Sequence, residues 1–129
     1  MKSLLLLLVG TSLFAAAHSF FLIYSQPNSG NHDLIVGGRE YNDRLIYSEN
    51  VTESFQWSGM KLIINRTVEA PPNFQVTQVK CINAVQDGTG AEANIASGGP
   101  GLGWVTIRFK SQRWRGIYFG VEVYARPTY

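Results

Sequence analysis

A chain of 129 residues with a formal net charge of +2 and 16% charged residues can build one folded core, and is too near neutrality for charge alone to drive it onto nucleic acid or an anionic membrane. Thirteen glycines, five prolines and 12% aromatic residues suit a small β-rich domain with many tight turns. One cysteine and two histidines exclude an internal disulfide framework and fall short of the four ligands of a structural zinc site, so neither a metal nor another cofactor is expected.

The chain opens with Met1-Lys2-Ser3, an unbroken apolar run Leu4–Val9, then Gly10–Phe14 and the small residues Ala15-Ala16-Ala17 before His18-Ser19. A basic start, an apolar stretch and small residues at a cut site form the layout of a secretory signal peptide. Cleavage is expected after Ser19, with a cut after Ala17 as the second choice. Phe20–Tyr24 extends the apolar character toward a bilayer-spanning length, but His18 and Ser19 interrupt it, and the alanine-rich end suits a peptidase better than an anchor. The cleaved chain loses Lys2, keeps ten basic against nine acidic residues, and is expected to have no further membrane contact.

The expected organisation is a signal peptide over 1–19, a flexible linker over 20–33, a single β domain over 34–126 and a tail over 127–129. Leu34-Ile35-Val36 reads as a strand running into a Gly37-Gly38 turn. Arg44–Val51 places Leu45, Tyr47 and Val51 on one face. Met60–Val68 groups Leu62, Ile64 and Val68, with Asn65 and Thr67 opposite. Pro71-Pro72 breaks the chain, and Gln75–Val85 is the next strand. Asp87-Gly88-Thr89-Gly90 reads as a hairpin turn into a short strand at Ala91–Ser97, and Gly98-Gly99-Pro100-Gly101 as another turn. The last two strands are the clearest. Val105, Ile107 and Phe109 alternate with Thr106, Arg108 and Lys110, and Ile117, Phe119, Val121 and Val123 alternate with Tyr118, Gly120, Glu122 and Tyr124. Period-two alternation marks half-buried antiparallel strands. The fold class is therefore all-β, a small antiparallel sandwich or barrel of about seven strands.

Two sequons, Asn50-Val51-Thr52 and Asn65-Arg66-Thr67, fit N-glycosylation of an exported chain. Cys81, a free thiol on a strand, reads as a buried small apolar residue; the sharper alternative is a reactive thiol or an intermolecular disulfide. Gly88-Thr89-Gly90-Ala91-Glu92-Ala93 has the glycine spacing of a dinucleotide loop. No helix can follow it before Gly98-Gly99-Pro100, and no acidic residue lies about 20 positions on. With His32 and Cys81 as its only such groups, the mature chain has no evident nucleophile–base pair, so catalysis is not expected. The dense basic segment Lys110-Ser111-Gln112-Arg113-Trp114-Arg115, with Arg108, is the candidate surface for an anionic glycan or protein partner; its alternative is a solvated turn in which Trp114 covers apolar surface. Direct nucleic-acid binding is not expected, and the oligomeric state is open.

Asp87-Gly88-Thr89-Gly90, Ala96-Ser97-Gly98-Gly99-Pro100-Gly101, Val105-Thr106-Ile107-Arg108-Phe109-Lys110-Ser111-Gln112-Arg113, Gly116-Ile117 and Val121-Glu122-Val123-Tyr124, together with Asp43–Val51, form a string that resembles the insect multiprotein bridging factor 2 family, whose members are also described as salivary secreted peptides. The resemblance spans roughly 34–126. The family pattern has glycine where this chain has Trp114 or Arg115. It implies two different roles: a secreted product, or a nuclear coactivator that links a DNA-bound nuclear receptor to the general transcription machinery. It supplies no catalytic residue. With the leader and the sequons, the expected function is that of a secreted, non-enzymatic binding protein.

Overall fold

The computed structural model describes residues 26–27 and 32–129. The expected leader and most of the expected linker lie outside the described residues. Eight strands follow in chain order: β1 (Gln26–Pro27), β2 (Leu34–Gly37), β3 (Arg44–Glu53), β4 (Ile63–Glu69), β5 (Phe74–Asn83), β6 (Glu92–Gly98), β7 (Trp104–Lys110) and β8 (Ile117–Pro127). All pairings are antiparallel. One sheet has the order β1-β2-β5-β8-β3 and the other β4-β7-β6.

The alternation read from the C-terminal strands sets the inner faces. Ile117, Phe119, Val121, Val123 and Ala125 of β8 are buried, as are Val105, Ile107 and Phe109 of β7. The rings of Phe109 and Phe119 meet with centroids 5.1 Å apart and planes tilted by 48°, so the two sheets pack face to face as a sandwich. Leu34 and Val36, Val76, Val79 and Cys81, Val51, Val68 and Ala93 complete a continuous core.

Three strands carry register shifts, β3, β5 and β6, the last between Ile95 and Ser97. In β3 the pairing shifts between Leu45 and Tyr47: Leu45 lies opposite Tyr124, and Tyr47 opposite Val123. The expected grouping of Leu45 with Tyr47 and Val51 is therefore corrected. The extra residue turns Leu45 to the outer face, where it is exposed, because side chains change face at a bulge. In β5 the shift falls between Val76 and Gln78. The Thr77 carbonyl accepts the Gly38 amide at 3.2 Å and packs so closely on Gly37 that an added Cβ would sit 2.1 Å from it. With φ of 76°, position 37 accepts only glycine.

The hairpin expected at Asp87–Gly90 is also corrected. β5 and β6 belong to different sheets, so this segment crosses from one layer to the other. The segments joining β3 to β4, β4 to β5, and β7 to β8 cross as well. The true hairpin joins β6 to β7 through Gly99–Gly103. That loop is pinned to β5 by Gly101 N to Val76 O (2.8 Å) and Val76 N to Leu102 O (2.7 Å). The folded unit also takes in residues on both sides of 34–126. Asp33 is buried and accepts the Asn83 amide at 2.7 Å, His32 Nδ1 lies 3.3 Å from Gly90 O, and Thr128 N donates to Asn73 O at 2.8 Å.

Candidate functional site

The two sequon asparagines sit on edge strands of different sheets. Asn50 of β3 lies opposite Gly120, and Asn65 of β4 opposite Arg108; both are exposed. A Cβ at Gly120 would lie 3.7 Å from Asn50 Oδ1, so the asparagine lies over a glycine and keeps its amide open to solvent. The two edges flank the same side of the sandwich, where Arg66 Nε donates to Glu49 at 3.4 Å across the gap between the sheets.

The basic segment divides between two surfaces. Arg108 is exposed on the outer face of β7 between Asn65 and Asn94, and Lys110 is half-buried opposite Ile63 and Glu92. Beyond them the chain is pinned. The buried Ser111 accepts the Leu62 amide on Oγ at 2.7 Å and donates its own amide to Leu62 O at 2.9 Å. Gln112 donates to the carbonyls of Gly88 and Gly90 at 3.0 and 3.2 Å. These bonds swing Arg113, Trp114 and Arg115 onto the loop that crosses to β8. Among the described residues, none of Arg108, Lys110, Arg113 and Arg115 is in an ion pair.

Trp114 holds a left-handed backbone, φ 63°, which costs a bulky residue roughly 1 kcal/mol. Its indole lies over Gly59: a Cβ there would come 2.4 Å from Cε2. The tryptophan nevertheless remains 55% exposed. It borders an open concavity of about 290 Å³ lined by Phe55, Val85, Asp87, Thr89, Trp114, Arg115, Gly116 and Tyr118. Three inter-sheet crossings, 54–62, 84–91 and 111–116, meet there at one end of the sandwich. Trp57, 86% exposed, stands beside it with its ring edge-on to Phe55 at 5.4 Å.

Asp87 is the fixed polar group of this concavity. Its Oδ1 accepts the Thr89 amide at 2.9 Å and the Thr89 hydroxyl at 2.6 Å. Those two bonds, with the Arg115 charge nearby, hold its carboxyl below the usual carboxylate value. Asp87, Phe55 and Tyr118 are not legible in the sequence as partners of Trp114, because Phe55 and Asp87 lie on loops far from it in the chain and Tyr118 stands on β8 beyond the loop that carries it. The one local signal was Asp87-Gly88-Thr89, a side chain able to bond the backbone two residues on.

Elsewhere, Arg39 forks onto Asp43 at 2.7 and 2.9 Å, and its guanidinium lies 3.9 Å above the Tyr124 ring. Cys81 is fully buried between Leu34 and Val121, and burial pushes its thiol up to about 12. The reactive-thiol alternative is corrected accordingly: neither an exposed sulfur nor a thiolate is available at neutral pH. No group of three or more His, Cys, Asp or Glu that could hold a metal occurs among the described residues.

Known proteins place this geometry in a lineage. Residues 36–125, from within β2 into β8, match the family model described as transcription activator MBF2. The chain is 38% identical over 104 residues, 80% of its length and 77% of the relative's, to a protein of Bombus ignitus named "Probable salivary secreted peptide". No solved structure matches. The match runs through both sheets and all four crossings between them, and on that extent the chain belongs to the MBF2 family.

Proposed function

We propose that this protein is exported and acts by binding a protein or an anionic glycan rather than by catalysis. The observation that carries the export is the 38% identity, over most of both chains, to a protein named as a secreted salivary peptide. The leader layout over residues 1–19 and the exposure of both sequon asparagines support it. The binding role draws on exposed cations without an ion-pair partner among the described residues, Arg108 and Arg113 foremost, on a surface rigidified by the Ser111 and Gln112 bonds. The candidate nucleophile is in the core, and His32 faces a backbone carbonyl.

Expression of the full chain in insect cells, followed by mass spectrometry of medium and nuclei, tests the export. The expected outcome is a form starting near Phe20 in the medium, with glycan on Asn50 or Asn65. A chain starting at Met1, confined to nuclei and without glycan, refutes it. That result would favour the second reading, a nuclear coactivator binding other transcription proteins, which the family's description motivates.

A further inference from the structure

The concavity at the end of the sandwich has a composition different from that of the basic surface. Its walls include the aromatic side chains of Phe55, Trp114 and Tyr118, and its polar groups are one carboxylate, Asp87, one guanidinium, Arg115, and the Thr89 hydroxyl. The two opposite charges cancel, so the site attracts neither a polyanion nor a cation. A wholly apolar ligand would strip water from Asp87 and Arg115 without replacing its hydrogen bonds. A ligand that fits must offer apolar C–H faces to the rings, and must both donate to the carboxylate and accept from the guanidinium. It must also be compact enough for about 290 Å³.

We propose that this concavity is a binding site for a neutral pyranose ring, a free sugar or the terminal residue of a glycan. The axial C–H groups of the ring stack on Trp114 and Tyr118. One hydroxyl donates to Asp87 Oδ2, the oxygen that Thr89 leaves open, and its neighbour accepts from Arg115. The polar partners are set in advance: two bonds from Thr89 orient the carboxylate, and Gln112 ties the 111–116 loop to the 84–91 loop that carries it. Such preorganisation lowers the ordering cost of binding. The left-handed backbone of Trp114 points the same way. Strain at a bulky, half-exposed residue persists where a site uses the side chain it displays.

The site is independent of where the protein acts, so it can be tested on purified protein. Calorimetric titration with the methyl glycosides of glucose, mannose, galactose and N-acetylglucosamine is expected to give saturable binding for at least one of them, insensitive to added salt. Trp114→Gly removes the indole while suiting the left-handed backbone, so a folded variant is expected, checked by its thermal melt. It and Asp87→Asn should each weaken binding at least about tenfold, equivalent to about 1.4 kcal/mol, whereas Glu69→Gln, at the exposed end of β4 opposite Trp104, should leave it unchanged. Absence of binding to all four glycosides overturns the proposal, as does binding that survives both Trp114→Gly and Asp87→Asn. Salt-sensitive binding of heparin alone, with no response to the neutral sugars, also overturns it and leaves the concavity part of an anion surface.

Discussion

Asp43 shows how one side chain can hold a corner that the strand pattern does not specify. Its side chain is 2% exposed yet charged, which is tolerable only because every approach is occupied by a donor. Arg39 forks onto it, the Glu40 amide donates at 2.8 Å and the Thr77 hydroxyl at 3.2 Å. Thr77 sits in the β5 bulge, so the carboxylate ties the 38–43 segment to that irregularity. The bonds from Arg39, foremost, hold the Asp43 carboxyl below 3.8, its ordinary value. A depressed carboxyl adds stability that is complete above the unfolded-state value and vanishes as pH falls through the folded one. Asp43→Ala should therefore cost about 2 kcal/mol near neutrality. In urea melts the gap between wild type and variant should stay constant down to about pH 4 and close below 3.8. A gap that persists at lower pH would assign the loss to packing instead. Nothing in the sequence announced this role. Asp43 and Thr77 are 34 positions apart, and only the β5 bulge brings the hydroxyl within reach. By contrast the burial of Cys81 was legible, because it stands among β-branched residues in an alternating segment and shares their face.

At the scale of the strands, the open side between β3 and β4 sets a problem that the residues answer. β3 runs ten residues with one edge unpaired, and β4 is the unpaired edge of the smaller sheet. Such edges template association with a second chain. Glu49 and Arg66 turn inward from the two edges and pair across the gap, which puts charge where a docking strand would need apolar contact. Asn50 and Asn65 flank that pair in sequence and point outward on either face. A glycan on each would screen the same side from both sheets. For an exported chain that carries those glycans, the Asn50→Gln, Asn65→Gln double variant should elute in size-exclusion chromatography as larger assemblies than the wild type at equal concentration. Identical elution would show that the charge pair alone guards the edge. The strands themselves were legible wherever alternation was uninterrupted, in β4, β7 and β8. It failed at Leu45, because a bulge changes the face of a side chain without changing residue type.

For the whole molecule, the decisive feature is that consecutive strands mostly change sheets. In sequence, Asp87–Gly90 and the segment after Lys110 read as turns between neighbouring strands, because turn residues mark a reversal without specifying which strand the chain will meet. Two crossings place those segments, with 54–62, at one end of the sandwich, and the candidate sugar site exists only as their meeting point. The same connectivity makes the core indivisible. With no disulfide among the described residues and four of the six strand pairings distant in sequence, neither layer has an inner face to bury without the other. Phe109 and Phe119, one from each layer and both buried, are the contact through which that dependence passes. Phe109→Ala removes a large buried ring and should cost about 3–5 kcal/mol, a major share of the about 5–15 kcal/mol that a domain of this kind holds in total. The loss should appear in both layers together. Far-ultraviolet dichroism and the fluorescence of Trp104, on the sheet that carries Phe109 and isolated by Trp57→Phe and Trp114→Gly, should move to the same lower urea midpoint in one transition. Two separate midpoints would mean that the five-stranded sheet can stand without its partner, and that the crossings, not the core, hold the layers together.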